Sequence, residues 1–397
     1  MPFFSVIIPT YNRGRFLHWC LDSVAAQTFA DWECVVVDDG STDGTEQVVG
    51  VYTHLDPRFR YCWQENGGVA RARNRGMALA TGDWVAFLDS DDRFLPWALH
   101  CYWHCAQLMP DVPIVSGRHI GENSPVVAPD FSDIRVERSD YFFGRGGPGS
   151  FGVVSVATRK SDLCRLGGFD QDLRTGEDSD FMLRLAALGD VAATACPVSV
   201  VCHPDEGKFA RNIANGKRLD AEIRIHQRLP KDPVVLARLQ DAPARLGEVQ
   251  QYCARRVQVL QIGRLLRARD YAEAAAAFGT YWQSGPPLAE TKLHCDRLFV
   301  HLYYPSSQPW RAAIQFSTAF RQMARQLSGS GLHDAAAFVE ERLLSCAVVH
   351  GWARLHRNRD WSGLALLAAG TLLRPNMRAA IRLLRQRRTR AATPAPE

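Results

Sequence analysis

Two short acidic stretches carry most of the chemistry available to this sequence. In "WVAFLDSDDRF", residues 84–94, an apolar run from Trp84 to Leu88 is followed by Asp89, Asp91 and Asp92. Carboxylates one residue apart beside an apolar strand repel one another and are costly unless a positive charge compensates them. A hard divalent cation such as Mg²⁺ or Mn²⁺ does so. Such ions usually bind through one or two carboxylates together with substrate phosphates. The residues alone leave a second reading open, a solvated turn in which Asp91 and Asp92 cap a helix starting near Pro96. The other stretch, "TGEDSDF" at 175–181, sets Glu177, Asp178 and Asp180 where they favour the N-terminus of a helix "SDFMLRLAALG".

The elements that must position these acids alternate, in the first half of the chain, as in a mainly parallel α/β sheet. "FFSVIIPTY", "WECVVVDDGS", "FRYCWQE" and the run Trp84–Leu88 read as four strands. The first is followed by a helix with apolar positions at Phe16, Leu17, Cys20, Leu21 and Val24, for which Asn12 is an available cap. The second leads to a helix expected to be capped near Ser41 or Thr42, and the third passes Gly67 and Gly68 into a helix from Val69 to Ala80. Ligands of such sheets sit outside the carboxyl ends of the strands. Thr10, Tyr11 and Asn12, then Asp38 and Asp39, then Asp89 and Asp91, are therefore expected to converge on one edge. From Asp205 onward, Ala, Leu and Arg at helical spacing replace the strand signals, which places a boundary near 205–220. Within that region "RLLRARDYAEAAAAF" and "RLHRNRDWSGLALLA" share a pattern, which leaves duplicated helical hairpins and an irregular helical bundle both open.

Composition sets outer limits. A chain of 397 residues with 46% apolar and 22% charged residues has material for about two domains. No uncharged apolar run reaches the roughly 18–20 residues that span a bilayer. The start, Met1 into "FFSVIIP", lacks a basic segment and a cleavage site, so secretion is not expected. Eleven cysteines, odd in number and without paired spacing, read as reduced thiols and favour the cytoplasm. The net charge of +5 is mild and gives no ground for a nucleic-acid partner, but seven arginines crowd the stretch from Arg374 to the end.

Three longer segments occur in order: "FSVIIPTYNRGRFLHWCLDSVAAQTFADWECVVVDDGSTDGT", "NGGVARARNRGMALATGDWVAFLDSDD" and "GGFDQDLRTGEDSDFMLRLAALG". Together they closely resemble the family 2 glycosyltransferases over residues 3–205. The resemblance implies a GT-A catalytic domain, Rossmann-like with a mainly parallel sheet, over 1–210. An all-α region over 211–373 and a basic tail over 374–397 would follow. It further implies an inverting, metal-dependent glycosyltransferase that moves sugar from a nucleotide-diphosphate donor, a UDP-sugar by expectation. The acceptor would be a hydroxyl of a glycan or lipid-linked molecule in cell-envelope or surface polysaccharide biosynthesis.

By the same resemblance, Pro9, Tyr11, Asn12 and Asp39 would hold the nucleotide base. Asp89 would face the ribose, with Ser90 beside it, and Asp91 would bind Mg²⁺ or Mn²⁺ at the diphosphate. Arg73 or Arg71 would meet phosphate charge. Asp178 would be the general base and Glu177 an acceptor contact, with Gly149 in a glycine-rich loop on the acceptor side. His203 stands where relatives place a ligand of metal or diphosphate, but Val201 replaces the arginine expected before it.

Other patterns weigh less. "GRGGPG" at 144–149 matches a dinucleotide fingerprint but contains Pro148 and precedes a strand-like run. "HCYWHC" sets His100 with His104 and Cys101 with Cys105 one helical turn apart, yet on two faces and without a further ligand group for zinc. A nucleotidyltransferase would need a Gly-rich basic signature where the chain has "PTYNRGRF", and a non-catalytic sugar-nucleotide scaffold would be expected to lack Asp91 or Asp178. The helix "NMRAAIRLLRQRRTR", with Met377, Ile381 and Leu384 on one face, is either a peripheral contact with an anionic membrane or a solvated tail.

Overall fold

The computed structural model describes residues 1–139, 152–173, 175–202, 216–286, 288, 291 and 309–341, without the side chains of 238 and 309–318. Strands form where β-branched and apolar residues run together: β1 (Phe4–Thr10), β2 (Trp32–Asp38), β3 (Phe59–Trp63) and β4 (Trp84–Phe87). They pair in parallel in the order β3-β2-β1-β4. Helices α1 (Gly14–Ala25), α2 (Thr45–Leu55) and α3 (Val69–Leu79) make the connections. Beyond β4 the nine-stranded sheet becomes mixed. Strands β5 (Arg93–Phe94), β6 (Ile114–Gly121), β7 (Val136–Ser139), β8 (Val156–Arg159) and β9 (Val191–Val201) extend it. Of these, β8 is antiparallel to β4 and β6, and β9 is parallel to β6. The expected α/β class holds, with the parallel arrangement concentrated in the first four strands.

Alternation along the strands divides the burial between two cores. Phe4, Val6 and Ile8 of β1 join Leu17, Leu21 and Val24 of α1 and Leu99 and Tyr102 of α4 (Ala98–Leu108). Ile7, Val85 and Phe87 point the other way, toward Met77 of α3, Leu163 of α5 (Lys160–Leu166) and Phe181 of α6 (Glu177–Ala186). Where α3 crosses β1, a Cβ on Gly76 would lie 2.3 Å from Ile7 Cγ2, so only glycine permits that approach.

The chain divides by contact into two units, each made of two segments. These units are Met1–Lys208 with Asp220–Ala254, and Phe209–Leu219 with Arg255–Glu397. Ile225, Leu229, Val235, Leu239, Val249 and Tyr252 are buried in the core beneath β4 and α6, so the helices that carry them belong to the first unit. These are α7 (Lys217–Arg228) from Asp220 onward, α8 (Pro233–Leu239) and the part of α9 (Pro243–Ala268) up to Ala254. Helical sequence alone does not reveal which core a helix joins.

The second unit has its own core among α9, α10 (Tyr271–Gln283), α11 (Pro309–Gly329) and the helix over 333–341, built on Leu266, Phe278, Met323, Leu327 and Phe338. The first copy of the repeated pattern is a helix–turn–helix: Arg269 takes φ 63, and Asp270 caps α10 by accepting from the amide of Glu273 at 3.2 Å. The second copy and the basic tail lie outside the described residues. No described helix is long and apolar enough to cross a membrane.

At the amino ends of the parallel strands, Glu33 ties three segments together. It accepts from Ser5 Oγ of β1 at 2.7 Å and Thr81 Oγ1 at 2.8 Å, and pairs with Arg60 of β3 at 2.8 Å. Burial alone would raise the Glu33 carboxyl, but these donors outweigh it and hold the group below its ordinary value of 4.5. A depressed folded value contributes stability above the unfolded value and loses it as pH falls through the folded one. Glu33→Gln should therefore lose roughly 1–3 kcal/mol in urea unfolding at pH 7. Its deficit against the unmodified protein should shrink as the pH is lowered below the ordinary carboxylate range.

Candidate active site

Parallel pairing in register places Thr10 beside Asp38 and Asp38 beside Trp63, so the carboxyl ends of β1, β2 and β3 share one edge with that of β4. The loop after β1 presents Tyr11 half exposed, and Asn12 adopts φ 51, a left-handed conformation that asparagine tolerates. Asn12 does not cap α1. Its amide donates to Ser41 Oγ and its Oδ1 accepts from the Thr42 amide, both at 2.8 Å, which staples the β1–α1 loop to the β2–α2 loop. The cap expected near Ser41 or Thr42 also differs. Gly44 occupies that position, and Asp43 accepts from the amides of Thr45 at 3.0 Å and Gly14 at 3.1 Å.

Asp39 is 4% exposed, and its carboxylate orders the segment after β3. Oδ1 accepts from Gln64 Nε2 at 2.7 Å and the Gly67 amide at 2.9 Å, and Oδ2 accepts from the Gly68 amide at 2.7 Å. A carboxylate offers about four acceptor positions, so three donors leave one for a ligand. Gly68, at φ 92, then starts α3.

From α3, Arg73 turns inward and is 3% exposed. It donates to Asp89 Oδ1 at 2.8 Å and to Glu177 Oε1 at 3.2 Å, joining residues 88 positions apart in sequence (177 − 89). Burial opposes the guanidinium's charge, but Asp89, Glu177 and Asp178 outweigh it and hold its pKa above the ordinary value. Of the two arginines left open by the sequence, Arg73 is thus the one built into the acidic site. The Arg71 side chain lies over Gly67, with Cδ 2.2 Å from where a Cβ there would stand.

The three aspartates after β4 separate. Asp91 forms an ion pair with Arg13 at 3.7 Å, and the side chains of Asp91 and Asp89 are 28% and 35% exposed. Asp92 turns in and accepts from the Cys202 amide at 2.9 Å, anchoring the end of β9. It does not cap the following helix: α4 begins at Ala98 with Trp97 as a cap lacking a side-chain bond. Burial first, then Asp89 and Asp91, push its carboxyl up to about 8.

Gly176, at φ 81, opens α6, whose first turn carries Glu177, Asp178 and Asp180. Asp178 Oδ1 accepts from the Ser179 amide at 2.8 Å. Asp180 is structural. It is 1% exposed and pairs with Arg184 Nε and Arg228 Nη2, each at 2.8 Å, while Arg184 also donates to the carbonyls of Leu166 and Gly168.

Among the described residues no three His, Cys, Asp or Glu side chains gather to hold an ion alone. The accessible pair Asp89 and Asp91, crowding a third carboxylate, suits the mode in which one or two carboxylates bind a hard cation and phosphates supply the rest. His203 and Gly149 lie outside the described residues. Pro9 is buried at the end of β1, and Ser90 is buried between Asp89 and Asp91. Sequence reasoning assigned no role to Arg13 or Arg228. Arg13 was signalled only by a basic residue just past a strand end, and Arg228 by nothing local.

A parallel half-sheet with acidic loops gathered at its carboxyl edge defines an α/β protein of the class whose ligand sites lie outside the carboxyl ends of the strands. The sequence pattern of the family described as Glycosyl transferase family 2 matches residues 5–145. The PGL/p-HBAD biosynthesis glycosyltransferase of Mycobacterium bovis (strain BCG / Pasteur 1173P2) is 47% identical over 244 residues, covering 57% of this chain and 88% of the relative. Glycosyltransferase GlyA of Streptococcus pneumoniae serotype 4 is 44% identical over 88 residues, covering 22% of this chain and only 13% of its own length. The crystal structure of S. aureus TarS shares the fold, with a TM-score of 0.50 and 20% identity, covering 75% of this chain and 52% of that one. This chain belongs to glycosyl transferase family 2.

Replacing Arg73 would remove the cation that Asp89 and Glu177 share. Arg73→Met should cost roughly 2–4 kcal/mol in denaturant unfolding, less than for a fully buried pair because Asp89 is partly solvated. Arg73→Lys should recover only part of the loss, since an ammonium is a single compact point charge without the guanidinium's planar fork.

Proposed function

We propose that the chain is an inverting glycosyltransferase that moves a sugar from a nucleotide-diphosphate donor, in the first instance a UDP-sugar, to an acceptor hydroxyl. The observation that carries this reading is Arg73, whose two ion pairs hold the Asp89 loop and the first turn of α6 at one place. A donor-binding motif and a general base must lie that close for one transfer to use both.

In this reading Pro9, Tyr11, Asn12 and the remaining acceptor position of Asp39 receive the base, and Asp89, with Ser90, faces the ribose. Asp91 would hold Mg²⁺ or Mn²⁺, which when bound neutralises the diphosphate leaving group. Arg13 beside Asp91 adds a second positive charge at that end of the site. Asp178 takes the proton of the acceptor hydroxyl as its oxygen bonds to the anomeric carbon. The bond to the diphosphate oxygen breaks on the opposite face, and the configuration inverts. Glu177, held by Arg73, contacts the acceptor. The mycobacterial relative's name supports a biosynthetic role, and a lipid-linked or glycan acceptor is the class proposed. The basic segment from Arg374 is proposed as a peripheral contact with anionic lipid. Vesicle flotation should weaken when residues 374–397 are removed.

The test is a screen of nucleotide sugars with the purified protein and Mn²⁺, reading release of the nucleoside diphosphate. Turnover with one donor is expected, and Asp91→Ala should abolish it. With an acceptor in hand, Asp178→Asn should lower kcat by roughly 10²–10⁴-fold while leaving the KM for donor close to unchanged. Donor binding with no turnover across all donors and acceptors would instead mark a sugar-nucleotide scaffold.

A further inference from the structure

Nine cysteines among the described residues are free thiols, and two of them meet inside the first unit. Cys101 Sγ on α4 lies 3.1 Å from Cys196 Sγ on β9, although 95 residues separate them. Between Ser116/Ala193 and Arg118/Pro197, β6 advances two residues while β9 advances four, so β9 bulges over 194–196. A bulge re-aims side chains. This one sets Cys196 against α4, with its amide accepted by Thr194 Oγ1 at 3.2 Å. Gly117 opposite has no room for a Cβ, which would lie 2.3 Å from Val198 Cγ1, and this keeps β6 and β9 close across the bulge.

The two thiols differ in the way that a reactive pair requires. Cys196 is held below its ordinary pKa by the Cys101 thiol first, and then, against burial, by the Trp97 indole and the charge of Arg118. Cys101 is held above its own by the same contact and by burial, and it is the more deeply buried of the two sulfurs. Thiolate character marks the attacking sulfur, and a second thiol in reach resolves the product. Cys105, one turn along α4, is also buried but is held as a neutral thiol by desolvation, pushed up to about 12.

We propose that Cys101 and Cys196 form a peroxide-sensitive dithiol that closes to an intramolecular disulfide between α4 and β9. The oxidant is hydrogen peroxide or a small hydroperoxide, because Cys196 is 8% and Cys101 0% exposed and a bulky disulfide has no approach. In the first step the Cys196 thiolate attacks one peroxide oxygen. An S–O bond forms, the O–O bond breaks, and hydroxide leaves, giving the sulfenic acid. In the second, Cys101 sulfur attacks Cys196 sulfur, an S–S bond forms, the S–O bond breaks, and water leaves with the Cys101 proton. The two sulfurs lose two electrons in all, which reduce the peroxide. Closing from 3.1 Å to a bond of about 2 Å needs a shift of about 1 Å, small enough for side-chain rotation with slight backbone adjustment. Because α4 leaves and β9 enters the loop where Asp92 holds Cys202, the bond would fasten the two elements behind that loop. The proposal is independent of any sugar chemistry at the site.

The test uses the full chain as Cys164→Ser, which removes the one cysteine exposed among the described residues. The folded protein is treated with hydrogen peroxide, its free thiols are alkylated after unfolding, and digests are read by mass spectrometry. A linked Cys101–Cys196 peptide that dithiothreitol reverses is expected, together with a higher unfolding temperature for the oxidised protein. In Cys101→Ser the link should vanish and dimedone should label Cys196, while Cys105→Ser should leave the link intact. Circular dichroism confirms that each variant is folded. Full alkylation of both cysteines after peroxide, or a link from Cys196 to Cys105 instead, would overturn the proposal.

Discussion

The Arg73 guanidinium is the constraint around which the site is organised. A buried cation is tolerated only when paired, and its partners must then come to it. One comes from the loop after β4 and the other from the first turn of α6, so the site is closed from two sides by a single side chain. The helix that carries Arg73 lies tight on β1 because Gly76 lets it, and that seating determines how far the guanidinium reaches toward the strand ends. A small residue in the core thus bears on the geometry of a charged site some distance along the helix.

The remaining loops at that edge are ordered by side chains that sequence patterns had given other work. Asn12 joins two loops, Asp39 gathers the amides after β3, and Asp92 fixes the end of β9. Asp39 and Asp92 turn buried carboxylates to backbone amides, and Asn12 does the same with an exposed side chain, which gives those donors partners. The result is a rim preorganised before any ligand arrives, with Asp91 and Asp89 left accessible. Preorganised electrostatics of this sort do not have to be assembled during a reaction, which is where much of their value in catalysis lies.

Behind the rim, α6 is anchored from below. Asp180 bonds Arg184 on its own helix and Arg228 on α7, and Arg228 also reaches Asp170. Helices after residue 216 therefore serve the first unit twice, covering its apolar core and holding the helix on which Asp178 sits. This explains why that unit does not end where the strands end.

Much of the framework was legible from local pattern: four strands, their connecting helices, and the convergence of residues 10–12, 38–39 and 89–91 on one edge. Alternating or continuous apolar runs and turn residues depend on near neighbours, and parallel topology then dictates which ends meet. The helix caps were misread because Asn12, Ser41 and Asp92 are good caps by type, and tertiary partners claimed them first. Arg73 and Arg71 were indistinguishable in "VARARNRG", since inward or outward orientation depends on what α3 packs against. The sequence by itself determined the elements and the identity of the acidic groups. Only the tertiary structure decided which carboxylates stay accessible, which are consumed as internal struts, and which guanidinium pairs with them. Those choices turn on burial and on contacts between residues far apart in the chain, which no local spacing records.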